Sequence, residues 1–150
     1  MTAGEEYGRL QDATFARSAP ATTTSYPPER RLTGEHVAAV LGSGRYAVVA
    51  TTRGDGRPHA TPTSFRLVGT ELWLPTVAGS VRGRNVRARP WLSLVVAEGV
   101  DDEHLAVVVE GPVRVADAPP EGVDAPEWAA EWLVLTPERV LSYAAPGWRG

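Results

Sequence analysis

The chain is a succession of short strand-like runs separated by tight turns, and that rhythm constrains its fold more than any other feature. Tyr46-Ala47-Val48-Val49-Ala50-Thr51-Thr52 is apolar and β-branched and reads as a buried strand. Gly54-Asp55-Gly56 behind it is a hairpin turn signal, and Arg57 to Leu67 reads as the returning strand. Val68-Gly69-Thr70 turns into a third strand, Glu71 to Thr76, and Trp91 to Ala97 is a fourth. A turn through Gly99-Val100-Asp101-Asp102-Glu103 leads to a fifth, Leu105 to Val115, in which Gly111-Pro112 marks a bend or bulge. A Pro/Ala/Gly/Asp loop over 116–126 precedes Trp128 to Leu135 and Val140 to Tyr143, with Thr136-Pro137-Glu138 capping a single turn between them. Short links of this kind join antiparallel neighbours. About six strands with two or so short helices predict a mostly β fold whose antiparallel sheet closes as a barrel.

Ahead of the strands, Thr33 is an N-cap for a helix whose Val37, Val40 and Leu41 share one face, with Leu32 as a hydrophobic staple and Gly42 as the stop. Residues 1–30 are rich in Ala, Thr, Ser and Pro and lack periodicity. They are expected to form a flexible or loosely docked arm, with Tyr7, Phe15 and Tyr26 as its available anchors. Residues 31–150 are expected to form a single domain.

The second helix carries the chemistry. Gly79-Ser80-Val81-Arg82-Gly83-Arg84-Asn85-Val86-Arg87-Ala88-Arg89-Pro90 opens on a serine cap, holds four arginines and ends at a proline. The first N–H groups of a helix lack intrahelical acceptors and sit at the positive end of its dipole. An arginine two residues past the Ser80 cap reaches an anion there with a two-pronged head, so the segment suits a phosphate. A helix with several arginines is equally a solvated face. Arg82 and Arg89 share one side while Arg84 and Arg87 point elsewhere, so at most one or two serve a single anion.

Composition removes several function classes. A formal net charge of −3 disfavours a dedicated nucleic-acid binder. The absence of cysteine excludes disulfides, thiolate metal sites and cysteine nucleophiles. His36, His59 and His104 have no ligand spacing, so no metal site is expected. No apolar run has the length of a membrane span or a signal-peptide core, so no membrane partner and a cytoplasmic location are expected. All fifteen basic side chains are arginine, which excludes a lysine Schiff base and points to a GC-rich genome. No nucleophile elbow or paired-carboxylate motif is present. His59 lies two residues before Thr61 on the second strand and is the one candidate catalytic proton donor, although a lone strand histidine also serves structural ends.

The motifs recur in a recognisable order. Ala50 to Thr63, then Leu72-Trp73-Leu74-Pro75-Thr76, then Gly79 to Asn85, then Arg89 to Val95, then Val109-Glu110-Gly111 resemble the split-barrel flavin-binding superfamily, the pyridoxamine 5′-phosphate oxidase-like group that includes FMN enzymes and deazaflavin-dependent reductases. The resemblance spans residues 33–143 and implies a six-stranded split β-barrel that forms a homodimer with the cofactor in a groove between two barrels. By position, Thr61, Pro62 and Thr63 match the segment running along the cofactor. Thr76, Ser80, Arg82 and Asn85 match the positions that hold its phosphate and ribityl chain. Arg82 stands where relatives usually carry lysine, so the charge is kept and the head geometry changes. His104 falls near the place of an aromatic residue reaching over from the partner subunit. Thr61 and Thr63 are two apart on a strand and share a face, which suits a polar lane for the ribityl phosphate; threonines are also simply good strand residues.

The function implied is an oxidoreductase using coenzyme F-420, the first choice, or FMN to pass a hydride to a small conjugated acceptor such as an activated C=C, a quinone-like or a polyketide-type molecule. The preference for F-420 follows the arginine bias, because deazaflavins are common in GC-rich actinobacteria. The scarcity of acid–base groups fits chemistry carried by a cofactor. The alternative is a non-catalytic carrier of flavin or haem.

Overall fold

One strand belongs to both halves of the sheet. In the computed structural model, which describes residues 1–148, β6 runs for 12 residues, Leu105–Ala116. Its first half pairs with β5 (Trp91–Glu98) on one side and β8 (Arg139–Ala144) on the other. From Val113 onward it pairs with β7 (Glu131–Leu135) instead. The change of partner is why a glycine stands just ahead of it: a Cβ on Gly111 would lie 1.9 Å from the Thr136 carbonyl oxygen.

The remaining strands are β1 (Ala47–Thr52), β2 (Pro58–Thr63), β3 (Arg66–Val68) and β4 (Glu71–Thr76), and the order across the sheet is β2-β1-β5-β6-β7-β4-β3. All pairings are antiparallel. β2 and β3 stand at opposite ends of that path, yet only Ser64 and Phe65 link them. The sheet therefore curls until its two ends meet, which gives the split barrel.

Three expectations about the strands and their links change. The strand expected over 57–67 is two strands, because Phe65 turns inward, 4% exposed, and breaks the run. The strand count is eight rather than six. Thr136–Glu138 is an extended link and not a helical turn: Thr136 N–H donates to Pro112 O at 3.0 Å and Glu138 N–H to Glu110 O at 2.9 Å, which holds the link flat along β6.

Inside the barrel, alternate residues from facing strands fill the core, among them Val49, Leu72, Leu74, Leu94, Val107 and Leu133, none more than 1% exposed. The open end is closed by α3 (Gly34–Leu41). Thr33 Oγ1 caps it by accepting from His36 N–H at 3.2 Å, and Val37, Val40 and Leu41 are its buried face, as the spacing predicts.

The flexible arm expected over residues 1–30 is replaced by structure. α1 (Ala3–Arg17) begins at a Thr2–Glu5 capping box and buries Tyr7, Leu10, Gln11, Thr14 and Phe15 along one stripe. The stripe is half polar because it satisfies backbone and hydroxyl groups of the barrel. Tyr7 Oη donates to Thr70 O at 2.8 Å, Gln11 Nε2 to Leu32 O at 2.8 Å, and Val140 N–H to Thr14 Oγ1 at 3.0 Å. α2 (Pro20–Ser25) buries no residue, so firm docking ends with α1. Positions 149 and 150 of the domain expected over 31–150 lie outside the described residues.

Candidate functional site

The arginine-rich segment folds as α4, Val81–Ala88, with Ser80 as its cap: Ser80 Oγ accepts from Gly83 N–H at 2.9 Å. β4 delivers the chain to this helix start, so Thr76 and Ser80 come together, with Thr76 Oγ1 donating to Ser80 Oγ at 3.1 Å. Arg82 folds back over the same corner. Its Nε donates to Thr76 Oγ1 at 3.0 Å and its terminal NH2 to Pro75 O at 2.7 Å.

All of these partners are neutral. Among the described residues Arg82 makes no ion pair, although it is half-buried. Burial lowers its pKa from the ordinary value, and a guanidinium stays charged regardless. A half-buried cation without an acid, beside helix N–H groups that have no acceptors of their own, is a place where an anion gains and nothing must be displaced.

The other three arginines are engaged elsewhere. Arg87 forms a bidentate ion pair with Glu131 at the start of β7, one arm at 3.0 Å. Arg84 donates to Gly79 O at 3.2 Å, and Arg89 Nε to Thr52 O at 2.8 Å. The helix is therefore neither a uniform basic face nor a cluster around one anion. Only Arg82 serves the cleft.

That cleft, about 330 Å³, is bounded by β2, the end of β4, the start of α4 and the loop before β7. Thr61, Thr76, Ser80 and Arg82 line it, together with His59. Two of these side chains carry buried polar atoms without any partner, Thr61 Oγ1 and His59 Nδ1. Buried hydroxyl and imidazole groups normally find partners, so two orphans on one wall call for a polar ligand or ordered water there. His59 and Thr61 are alternate residues of β2 and face the same side.

Three sequence-predicted site residues are not brought to the cleft. Pro62 is exposed on the opposite face of β2. Thr63 is 6% exposed and gives its hydroxyl to Ser64 O at 2.8 Å. Asn85, also 6% exposed, donates through Nδ2 to Thr51 Oγ1 at 3.0 Å and so ties α4 to β1. His104 stacks on Tyr143, ring centroids 5.4 Å apart, and is not among the cleft's lining residues.

The sequence does not single out which tryptophan supplies an aromatic wall. Trp128, 52% exposed, and the apolar Val77 and Val81 complete the lining. The strand expected over Trp128 to Leu135 begins later, and Trp128 stands in the loop over 117–130. The signal available was its position in a Pro/Ala/Asp-rich run, where a large aromatic has no core to enter.

A split barrel with a polar cleft at the junction of strand and helix defines the class, and the comparisons agree with the fold. The chain belongs to the pyridoxamine 5′-phosphate oxidase family, whose model matches residues 33–148. A comparison with curated proteins finds no match. Among solved structures, a conserved hypothetical protein from Mycobacterium tuberculosis superposes with a TM-score of 0.69 at 21% identity, covering 79% of this chain and 89% of that one. An FAD-binding protein from Mycobacterium smegmatis gives 0.62 at 15% identity, covering 75% and 95%. General Stress Protein 26 from Bacillus anthracis gives 0.61 at 17% identity, covering 73% and 92%. At these identities the likeness is one of fold.

Proposed function

We propose that this protein binds a cofactor of flavin type, coenzyme F-420 or FMN, and uses it as an oxidoreductase acting on a small conjugated acceptor. The observation that carries the reading is Arg82: a half-buried guanidinium without an acid, at the start of α4, in a cleft shared with the unpartnered Thr61 hydroxyl. The FAD-binding neighbour from M. smegmatis supports it. The residues present fit such a cofactor. Arg82 and the Val81 and Arg82 backbone N–H groups would take its phosphate, and Thr61 Oγ1 would donate to or accept from its ribityl hydroxyls.

When bound, the cofactor supplies the hydride. The chain's own part is to bind, orient and shield. Thr76 and the Pro75 carbonyl hold the Arg82 head in place before any anion arrives, so little ordering is required on binding. Trp128, Val77 and Val81 would offer apolar surface to the cofactor's planar ring and shield that ring from water. His59, whose Nδ1 lacks a partner in the cleft, would give the proton that accompanies the hydride to an acceptor.

The protein works as a homodimer in this reading. The outer face of β1, β2, β5 and β6 carries Val48, Ala50, Ala60, Pro62, Val95 and Val108, with Val48 47% exposed. An apolar row of this kind, flanked by Ser93 and the Glu110–Arg139 ion pair, is a seat for a second copy.

Reduced F-420 or reduced FMN, mixed anaerobically with a panel of enones and quinones, tests the activity. Reoxidation of the cofactor in step with loss of acceptor is the expected result. Tight binding of both cofactors without turnover on any acceptor would mark the protein as a carrier.

A further inference from the structure

A second cavity lies across β4 from the cleft. Successive residues of a strand face opposite sides, and Thr76 opens on the cleft whereas Pro75 opens on this cavity. Its volume, about 610 Å³, falls in the range of pockets for small organic ligands. Phe65 and Trp132, 4% and 2% exposed, form its inner wall, and Tyr46, 74% exposed, stands at the rim. Tyr46 is the aromatic face open to a ligand there, and such a face favours a ring over water.

Two charges face this space from different elements. Arg66 opens β3, and Asp124 lies in the loop over 117–130. Both are exposed, and among the described residues neither forms an ion pair with the other or with a third group. A cation and an anion left apart at the margins of an aromatic cavity complement a ligand with the reverse pair.

We propose that this cavity binds a small aromatic zwitterion, its carboxylate on Arg66 and its ammonium on Asp124. The planar guanidinium takes a carboxylate through two parallel N–H bonds, and the Asp124 carboxylate accepts from the ammonium. The ring lies against Tyr46, in front of the covered Phe65 and Trp132. The site makes no use of Arg82 or Thr61, so it stands apart from the cofactor reading.

The test is a titration of the whole protein, without added cofactor, with para-(aminomethyl)benzoate, benzoate and benzylamine, followed by tryptophan fluorescence and calorimetry. Saturable binding of para-(aminomethyl)benzoate is expected. Arg66→Ala should weaken it and benzoate about tenfold while leaving benzylamine unchanged. Asp124→Asn should weaken the zwitterion and benzylamine while leaving benzoate unchanged. Both residues are exposed, so both variants should keep the parent melting temperature, which serves as the folding control. No saturable binding of the zwitterion up to about 10 mM, well beyond useful affinity, overturns the proposal. So does equal affinity of the parent and both variants for it.

Discussion

Arg87 and Glu131 bind each other through two parallel contacts, joining the last turn of α4 to the first residue of β7. Glu131 is buried, 9% exposed, and its hydrogen bond and charge hold the Arg87 guanidinium above its ordinary pKa. Removing Arg87 leaves a buried carboxylate without its partner, so Arg87→Ala should lower the melting temperature measurably. Glu131→Gln in the same background should recover part of the loss, because a neutral amide costs less to leave unpaired. Cofactor affinity measured below the transition should be little altered. A melting temperature unchanged by Arg87→Ala would count against the pair as a structural tie.

Alkaline pH should undo the docking of α1. Tyr7 is fully buried and burial raises its phenol pKa well above the ordinary value, while its Oη–H bonds Thr70 O. The unfolded chain releases this proton near pH ~10 and the folded chain holds it higher, so the folded state binds more protons above that point. Stability from this group is therefore complete below pH ~10 and lost as pH rises beyond it, by up to about 1.4 kcal/mol per pH unit. Denaturant melts from pH 8 to 11 check the slope. Tyr7→Phe should remove this component of the fall, and an identical slope in Tyr7→Phe would refute the assignment.

The crossing of α1 and α3 admits no side chain at Gly34. A Cβ there would lie 2.1 Å from Gly4 O and 2.7 Å from Gly8 Cα, both backbone atoms that cannot swing aside. Gly34→Ala should destabilise the fold by about 1–3 kcal/mol, the usual cost of overpacking. Faster amide exchange across residues 3–17 should accompany it. Exchange that stays slow there, with stability intact, would show that α1 is not held by this contact.

The strands were legible because β-branched alternation and turn residues are local signals. β1, β4 and β5 fall close to their expected bounds. The break of the 57–67 run was not legible, because Phe65 turns inward only once the sheet has curled. α1 escaped because its stripe mixes Tyr7, Leu10 and Phe15 with Gln11 and Thr14, and looks aperiodic on hydrophobicity alone; the Thr2–Glu5 capping box was the clue. Within the site, Thr76, Ser80 and Arg82 sit on one strand–helix junction, so their convergence follows from local sequence. Residue type could not reveal that Asn85 is taken by Thr51, nor that Trp128 arrives from a distant loop.

The proposed dimerisation through the outer sheet face has its own test. Val48 is central on that face, between Pro62 and Val95, and points away from the core. Val48→Asp should leave the barrel folded and shift sedimentation equilibrium from dimer to monomer, since a lone carboxylate in an apolar interface is costly. A dimer of undiminished affinity would place the interface elsewhere.

The central claim is that Arg82 holds the phosphate of the cofactor, and equilibrium binding of FMN and of F-420 to three forms of the apoprotein tests it most directly. Arg84 on the same helix is exposed and bonds only the Gly79 carbonyl, so it is the proper control. Arg82→Ala removes a charge-assisted contact worth about 1.5–3 kcal/mol and should weaken binding of at least one cofactor about ten- to a hundredfold. Arg84→Ala should bind as the parent does. Equal, small effects of the two substitutions, or no binding of either cofactor by the parent protein, would contradict the account.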